Sequence, residues 1–248
     1  MGRPRCPRPR VGWRILRSGL RIEPEEVAAP GGGAPYSIFT KDGKRAAGMG
    51  QLTRDQQDAG IPAAWSSYIA VDDVDDVAEK AGALGAQIVM APTKIMDAGR
   101  MAFVTDPTGA AIGFWQAGQH QGTDAFDDPG FMTWNELATS DVDRAKQFYT
   151  DLFGWGAETQ AFEGGFEYTT FSVDQRAYSG TYDMSGIVPD GTPPHWSVYF
   201  SVDDTDAAVE RARDRGATIL REPSDTEFGR MAVIADPQGA VFQIIALA

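Results

Sequence analysis

One stretch of the sequence occurs twice, and this repeat determines the fold. Trp65-Ser-Ser-Tyr-Ile-Ala-Val-Asp-Asp-Val-Asp75 recurs as Trp196-Ser-Val-Tyr-Phe-Ser-Val-Asp-Asp-Thr-Asp206. Two later stretches recur in the same order: Gly99-Arg-Met-Ala102 as Gly229-Arg-Met-Ala232, and Asp106-Pro-Thr-Gly-Ala110 as Asp236-Pro-Gln-Gly-Ala240. Matches of this length, in one order and at nearly one spacing, identify an internal duplication.

Each copy predicts one strand, one helix and three further strands. Residues 196–202 alternate between apolar and polar side chains, as a half-buried strand does. Asp203, Asp204 and Thr205 can cap the start of a helix, and Gly216 can end it. The repeated Asp-Pro-x-Gly is typical of a turn, which here joins the last two strands. The predicted order is β-α-β-β-β, and the fold class is α+β.

Residues 131–182 predict the same order with fewer identities. A strand is expected at 131–138, a helix from Ser140 or Asp141 to Gly154, and strands near 166–173 and 180–184. By symmetry the first half should also contain two modules, and Tyr36 and Gly48 indeed match Tyr168 and Gly180. Its opening strand and helix should lie at about residues 1–22, where an Arg/Pro-rich segment matches nothing else in the chain.

These matches divide the chain into four parts. We expect an aberrant Arg/Pro-rich segment at 1–30, an N-terminal domain with an incomplete first module at 31–122, a linker at 123–130 and a C-terminal domain at 131–248. The first segment contains seven Arg and three Glu. It is either a basic arm or the result of a wrong start codon or reading frame, because Arg, Pro and Gly dominate out-of-frame translation of GC-rich genes. The mass and N-terminal sequence of the natural protein distinguish the two.

Composition excludes several classes of partner. A formal net charge of -13 disfavours contact with nucleic-acid phosphate. No apolar run approaches the ~20 residues of a membrane helix, and no secretory signal is recognisable. Cys6 is the single cysteine, which excludes an intrachain disulfide and fits a reducing compartment. We therefore expect a cytoplasmic protein that binds neither nucleic acid nor membrane.

Three kinds of motif together resemble one superfamily: the segment 134–155, the two Val-Asp-Asp-x-Asp stretches and the two Asp-Pro-x-Gly turns. They are similar to the vicinal oxygen chelate superfamily, which includes glyoxalase I, bleomycin-resistance proteins and extradiol dioxygenases. The likeness covers about residues 36–248 and is strongest to tandem, two-domain members described as hydroxylase-like or antigen-like. It implies paired modules in two cupped, barrel-like mixed sheets, with helices outside and a small-molecule ligand inside. Members commonly pair modules between chains, so a monomer or a homodimer is expected.

The resemblance also implies positions for the ligands of a divalent metal ion, and this sequence departs from them. Trp134 stands at the first histidine position, Ser197 and Ser66 at the second, and Gln243 and Gly113 at the glutamate position. Neutral hydroxyls are poor ligands for transition metals, and only Gln243 offers a weak oxygen donor. Two histidines in the whole chain exclude a multi-histidine site. We expect no cofactor, with a divalent metal ion as the alternative.

Alternation along each strand predicts which residues line the cup. Because Ser197 stands at an implied ligand position, its face of the strand should line the cup, and the face of Trp196 should pack on the helix. The predicted lining is apolar and aromatic with a few polar groups, as small-molecule sites are. It comprises Trp134, Glu136, His195, Ser197, Tyr199, Val241, Gln243 and Ile245.

Each candidate residue has a structural alternative. Glu136 and His195 can form a catalytic acid–base pair if they are buried together. Otherwise His195 is a solvated loop end and Glu136 an exposed strand carboxylate. Tyr199 can pack structurally with its hydroxyl at the rim. Arg230 can hold an anionic ligand, or it can pair with an acid of its own hairpin such as Asp236.

Two functions from different classes remain. We favour a small-molecule-binding protein of the glyoxalase and bleomycin-resistance type, with the ligand in the C-terminal cup and without the family's metal site. The alternative is a lyase, isomerase or dioxygenase that acts on a small oxygenated substrate, either metal-dependent or with Glu136 and His195 as acid–base groups. Fold does not decide between them. The candidate ligand-binding residues are Trp134, Ser197, Tyr199, Gln243 and Arg230.

Overall fold

The computed structural model of the chain describes residues 23–27 and 36–248. The helices are α1 (Arg54–Asp58), α2 (Val74–Ala83), α3 (Val142–Phe153) and α4 (Thr205–Arg213), with a 3-10 turn at Glu163–Gly165. The strands are β1 (Glu23–Val27), β2 (Tyr36–Lys41), β3 (Lys44–Gly50), β4 (Tyr68–Ala70), β5 (Gln87–Ile95), β6 (Gly99–Thr105), β7 (Ala111–Ala117), β8 (Met132–Thr139), β9 (Gly156–Ala161), β10 (Glu167–Val173), β11 (Arg176–Asp183), β12 (His195–Ser201), β13 (Thr218–Thr226), β14 (Gly229–Ala235) and β15 (Val241–Leu247).

Three modules have the predicted β-α-β-β-β order. We call them module 2 (β4, α2, β5–β7), module 3 (β8, α3, β9–β11) and module 4 (β12, α4, β13–β15). In each module the first strand pairs in parallel with the last one, and the later strands pair antiparallel. A parallel pair needs a crossover connection, which the helix supplies. The α+β prediction is confirmed. Only β9 lacks a sequence signal of its own, because Gly-Ala-Glu-Thr-Gln-Ala is exposed at every position.

Module 1 is described through β1, β2 and β3, which form an antiparallel sheet in that order. Residues 23–27 belong to the Arg/Pro-rich segment by our sequence division, yet they pair with residues 36–40 of β2. Structured chain therefore begins before residue 30. The opening strand and helix expected at 1–22 lie outside the described residues.

The starts of α3 and α4 and the end of α3 follow the predicted caps, whereas α4 ends at Arg213, with Asp214 as its C-cap, before the predicted Gly216. The Asp141 side chain accepts a hydrogen bond from the Arg144 amide at the start of α3, and Gly154 ends that helix in the left-handed conformation, with φ of 70°. Asp204 caps α4 by accepting from the Ala207 amide at 3.0 Å. The predicted start signals therefore act through carboxylate oxygens that satisfy otherwise unpaired helix amides.

The compact units interleave the two halves of the sequence. Unit 1 contains the described residues up to Trp65, together with Thr123–Thr133 and Tyr199–Ala248. Unit 2 contains Ser66–Gly122 and Trp134–Val198. Among the described strands, each sheet is open at its edges, so the sheets are cupped and are not closed into barrels. The cupped mixed sheets that we expected are therefore confirmed.

A buried apolar cluster in unit 2 joins the helices α2 and α3 to the outer faces of their sheets. Its members include Val74 and Ala78 of α2, Phe148 and Tyr149 of α3, and Trp196 at the start of β12. Trp196 is buried as the alternation of β12 predicts, but its helix contact is Tyr149 of α3 from another module. Burial of an aromatic side chain of this size stabilises a fold by roughly 2–3 kcal/mol.

The equivalent tryptophan of the other copy has the reciprocal role. Trp65 precedes β4 of module 2, and its ring packs edge-on against Phe200 and Phe242 in unit 1, at centroid distances of 5.0 and 5.8 Å. Trp65 thus packs in unit 1 just before the chain enters β4 of unit 2. Trp196 packs in unit 2, in a strand whose later residues belong to unit 1. The repeated Trp at the head of both motifs has a packing role in both places.

Candidate functional site

The seven predicted site residues are divided between the compact units. Unit 2 contains Trp134, Glu136, His195 and Ser197, and unit 1 contains Tyr199, Gln243 and Arg230. The residues that the sequence grouped into one cup are therefore assigned to two compact units, and their grouping remains a prediction.

Trp134 and Glu136 lie on the same face of β8. The opposite face carries Leu137, which is fully buried against the helices, and Thr139. Because successive side chains alternate across a strand, Trp134 and Glu136 point away from the helices. We call this side of the sheet the inner face. Both residues are half-buried there, which leaves them accessible to a ligand.

The side chain of Tyr168 extends from β10 across Gly180 of β11 and reaches the part of the inner face that carries Trp134 and Glu136. Glu136 pairs with Gly180 of β11, which lies between β8 and β10. A Cβ atom at Gly180 would stand 2.4 Å from the Tyr168 ring, so the ring lies flat over this position. Its hydroxyl accepts a hydrogen bond from Nε1 of Trp134 at 2.7 Å.

The Tyr168 hydroxyl also donates to Glu136. The pKa of Tyr168 is raised well above its ordinary value, chiefly by burial and then by the negative charge and the hydrogen bond of Glu136; the bond from Trp134 acts in the opposite direction. Tyr168 therefore stays protonated at neutral pH. The result is a directed chain in which Trp134 donates to Tyr168 and Tyr168 donates to the Glu136 carboxylate.

Further aromatic rings extend this part of the inner face. Phe166 lies 6.3 Å from Tyr168 and 6.0 Å from Tyr182, measured between ring centroids, and is 38% exposed. These distances are typical of attractive contacts between aromatic rings. We call Trp134, Glu136, Phe166, Tyr168 and Tyr182 the aromatic–carboxylate cluster.

Module 2 contributes a second tyrosine of the same kind to unit 2. Tyr68 lies over Gly113, whose Cβ atom, if present, would stand 2.3 Å from the ring. Its ring meets Phe103 edge-on at 5.7 Å, and the residue is 45% exposed. The neighbouring Ser67 hydroxyl donates to Oδ1 of Asn135 at 2.5 Å, which brings the start of β4 beside β8.

His195 and Ser197 also lie in unit 2, at the start of β12. Nδ1 of His195 lies 2.9 Å from the Pro193 carbonyl oxygen, a contact within its own loop. Ser197 is half-buried. The partner that the structure gives for Glu136 is Tyr168, so the acid–base pairing of Glu136 with His195 remains a prediction.

Two of the three candidates in unit 1, Tyr199 and Gln243, are buried within module 4. Tyr199 pairs with Gln243 in the parallel register of β12 and β15, and both residues are 8% exposed. This burial favours the packing alternative for Tyr199. Tyr68, at the equivalent position, pairs with Gly113, which stands where module 4 has Gln243, and its side chain is exposed.

Arg230 pairs with acids, but not with the one that we named. Its guanidinium contacts Asp206 at 2.5 Å and Asp225 at 2.9 Å. Asp236 instead accepts hydrogen bonds from the Gln238 and Ala240 amides within its own turn. A carboxylate at the first position of such a turn satisfies amides that the backbone leaves free.

The positions that would hold the family's metal ion do not fit one in unit 2. Nε1 of Trp134 donates its proton to Tyr168, and an indole has no lone pair to offer a metal. Gly113 has no side chain, and the Tyr68 ring fills the adjoining space. Within residues 23–27 and 36–248, no three His, Cys, Asp or Glu side chains lie close enough to bind a metal ion.

A buried polar network in unit 2 was not predicted from the sequence. Trp196 donates from Nε1 to the Tyr149 hydroxyl at 2.9 Å, and Tyr149 donates to Asp106 at 2.8 Å. Asp106 also accepts from the amides of Thr108 and Ala110. The network joins modules 2, 3 and 4. The repeated Asp-Pro-x-Gly motif was the available signal, but it indicates the turn and not the partner that reaches it.

The described part of the chain contains no helix that is long and apolar enough to cross a membrane.

Comparisons with known proteins agree with the fold. The sequence model of the family described as the Glyoxalase/Bleomycin resistance protein/Dioxygenase superfamily matches residues 12–114 and 131–244. The first match begins inside the Arg/Pro-rich segment, so part of that segment is also similar to the family. The two matched ranges correspond to the two halves of the duplication, which confirms the resemblance.

Two named relatives cover most of the chain. "Putative glyoxylase CFP32" of Mycobacterium bovis is 41% identical over 222 residues, which are 89% of this chain and 84% of that protein. "Anthracycline biosynthesis protein DnrV" of Streptomyces peucetius is 32% identical over 231 residues, 89% of this chain and 82% of that protein.

Two solved structures share the fold at low identity. The Mn(II)-bound glyoxalase from Novosphingobium aromaticivorans has a TM-score of 0.62 at 15% identity, covering 95% of this chain and 77% of that one. The 2,3-dioxygenase LapB from Pseudomonas sp. KL28 has a TM-score of 0.62 at 12% identity, covering 95% and 86%.

Proposed function

We propose, since the chain belongs to the glyoxalase, bleomycin-resistance and dioxygenase superfamily, that it binds a small aromatic molecule at the aromatic–carboxylate cluster. Proteins of this superfamily bind small-molecule substrates and commonly form oligomers. The proposed ligand lies on the inner face of module 3, in the C-terminal half of the sequence. Its binding uses side chains of this chain and needs no divalent metal ion.

One observation carries the proposal: the chain of hydrogen bonds from Trp134 through Tyr168 to Glu136. It fixes two aromatic rings and one carboxylate on an accessible face, with Phe166 and Tyr182 beside them. Rings that are held in place lose little entropy when a flat ligand stacks on them. A largely aromatic surface with a few positioned polar groups is the usual composition of a small-molecule site.

The relatives support an aromatic ligand in particular. DnrV is named for anthracycline biosynthesis, and anthracyclines are polycyclic aromatic compounds. CFP32 is named as a putative glyoxylase. This name favours a catalytic role and does not specify an aromatic ligand.

Calorimetric titration with tricyclic aromatic compounds tests the proposal. We expect one molecule to bind per chain, and we expect Trp134→Ala and Tyr168→Ala each to weaken binding about tenfold, the equivalent of about 1.4 kcal/mol. Gln243→Ala serves as the matched variant in unit 1 and should leave the affinity unchanged. Binding that is lost in Gln243→Ala but kept in Tyr168→Ala would place the ligand in unit 1 and overturn the proposal.

The same titration tests the independence from metal. Affinity should be equal in buffer with a chelator and in buffer with Mn²⁺, because the implied ligand positions carry Trp134, Gly113 and Ser66. An affinity that falls with the chelator and returns with Mn²⁺ would show that a metal ion takes part.

A second candidate is a metal-independent enzyme in which Glu136 is a general base. The hydrogen bond from Tyr168 orients this carboxylate on the inner face, and a base must be so held to reach a carbon-bound proton. Deuterium exchange at a carbon next to a carbonyl group of a bound compound is the measurement. Exchange that Glu136→Gln abolishes and His195→Ala slows would favour the enzyme, and absence of exchange in a bound ligand would favour the binding protein.

A further inference from the structure

We infer that module 2 has a binding site of its own, a cleft beside the β5–β6 hairpin that binds the carboxylate or phosphate group of a small organic anion. The cleft has a volume of about 410 Å³, and its lining includes Lys94, Met96, Arg100 and Ala117. The aromatic–carboxylate cluster belongs to module 3, so this inference does not depend on the proposed function.

The duplication shows that the charge at one position of this hairpin is reversed. Arg100 and Arg230 are the same residue of the repeat. In module 4, Arg230 lies opposite Asp225 on the neighbouring strand. In module 2, Arg100 lies opposite Lys94. Like charges directly opposite each other on neighbouring strands are destabilising, so module 2 holds two cations together where module 4 forms an ion pair.

The two arginines also differ in how much of the guanidinium is paired. Arg230 donates from Nε and Nη2 to Asp206 and from Nη1 to Asp225. Arg100 donates from Nη2 to Asp75, and its Nε is buried without a hydrogen-bond partner among the described residues. A buried donor without a partner costs free energy. An oxyanion beside this guanidinium supplies acceptors for its other N–H groups, which match carboxylate and phosphate geometry.

Two carboxylates lie near these cations, and both pairs are at the surface. Asp75 contacts Arg100 at 2.8 Å, and Asp97 lies 3.9 Å from Lys94. The side chains of Lys94 and Asp97 are 73% and 79% exposed. Exposed pairs of this kind contribute little, so a bound anion can take the place of Asp97 beside Lys94.

The turn that follows Lys94 adds an apolar contact on a strained backbone. Met96 has a φ of 47°, in the left-handed region that a side chain rarely adopts, and it is partly exposed. Such strain is concentrated at functional sites, where the surrounding structure maintains it. Met96 and Ala117 give the cleft an apolar part beside its cations. The volume also falls in the usual range of small-molecule sites, which favours an organic anion over a bare inorganic ion.

Four probes separate the charge of the ligand from its organic part. They are hexanoate, hexyl phosphate, the neutral hexanamide, and inorganic phosphate without an organic part. Amide chemical shifts of the ¹⁵N-labelled, unaltered chain report where each probe binds. We expect hexanoate and hexyl phosphate to shift the amides of Gly99, Gly118 and Gln119, which line the cleft. Hexanamide should bind at least about tenfold more weakly than hexanoate, and inorganic phosphate more weakly than hexyl phosphate.

Lys94→Asp gives module 2 the charge arrangement of module 4. It should lower the affinity for hexanoate at least about tenfold. Its urea midpoint should be no lower than that of the unaltered chain, because Arg100 gains the cross-strand acid that Arg230 has. Lys44→Asp is the matched control, since it makes the same change of charge on β3 in unit 1. It should change the affinity for hexanoate by less than about twofold.

Three results would overturn the inference or part of it. The anion site is wrong if no probe shifts the amides that line the cleft, or if hexanamide binds as tightly as hexanoate. Equal losses of affinity in Lys94→Asp and Lys44→Asp would reduce the effect to net charge and remove the role of Lys94. Inorganic phosphate that binds as tightly as hexyl phosphate would overturn the organic ligand.

Discussion

Asp106 and Asp236 begin the same turn in modules 2 and 4, and they differ in what lies against them. Both accept hydrogen bonds from the amides two and four residues later. Asp106 also accepts the hydroxyl of Tyr149 from α3 and is 3% exposed, whereas Asp236 is half-buried. At Asp106 the local motif therefore has a second role, because Tyr149 of α3 reaches its carboxylate from another module.

The same contrast recurs across the two units. Tyr168 crosses Gly180 in unit 2, and Tyr36 crosses Gly48 in unit 1, with the same spacing in the sequence. Tyr168 has Trp134 and Glu136 within reach on β8, on the far side of β11. Duplication thus conserves the backbone and the close Tyr–Gly contact, and the side chains around that contact give unit 2 its candidate site.

The largest expected effect comes from the two turn aspartates. Asp106→Asn should lower the free energy of unfolding by about 3 kcal/mol, because the buried tyrosine hydroxyl loses its charged acceptor. Asp236→Asn should cost about 1 kcal/mol or less, since its amide can still cap the turn beside solvent. Urea unfolding of both variants, followed by circular dichroism, gives the comparison. Equal losses would show that the Tyr149 contact contributes nothing.

A smaller but more specific effect is expected at the two crossing glycines. Gly180→Ala and Gly48→Ala should each cost about 1–3 kcal/mol, because the new methyl group overlaps a tyrosine ring that must tilt away. Only Gly180→Ala should also weaken binding of an aromatic ligand, since it displaces Tyr168 from Trp134. Gly82→Ala in α2 has open space and should be neutral or slightly stabilising. Ligand binding that survives Gly180→Ala unchanged would separate the cluster from function.

Much of this architecture follows from the sequence, because its signals are local. Alternation, Asp caps and the Asp-Pro-x-Gly turn each depend on neighbours in the chain, so the order of elements and the α3 boundaries are predictable. The interleaved units are not predictable in this way. Nothing near Tyr199 or Gln243 indicates that they belong to a different compact unit from Trp134. Tyr168 is a repeated residue in the sequence. The repeated Gly180, twelve residues later, is the sequence feature that indicates a tyrosine ring lying across a strand.

The free energy of unfolding at alkaline pH should distinguish the buried network at Asp106 from the half-buried turn at Asp236. Burial and the Asp106 charge raise the pKa of Tyr149 well above 10.0. The folded chain therefore keeps a proton that the unfolded chain releases, so the contribution is fully present below about pH 10 and is lost as the pH rises further. Between pH 9.5 and 11, the free energy of unfolding should fall less steeply in Tyr149→Phe than in the unaltered chain. Parallel slopes would contradict the raised pKa.

The smallest effect is expected at the repeated arginines, which carry ion pairs on the surface. Arg230 bridges Asp206 and Asp225, whereas Arg100 contacts Asp75. Exposed pairs contribute little and are screened by salt. We expect Arg230→Gln to shift the urea midpoint slightly more than Arg100→Gln, and less than either glycine variant.

The arginine comparison also has a pH signature. Both variants change the net charge equally, so their difference isolates the contacts. The hydrogen bond from Arg230 lowers the pKa of Asp206 below 3.8, so this stabilisation is present above pH 3.8 and is lost as the pH falls through the lowered value. The difference between the two variants should therefore shrink as the pH falls below 3.8, and it should shrink in 1 M salt at pH 7. A difference that persists under both conditions would arise from packing of the Arg230 stem instead of its charge.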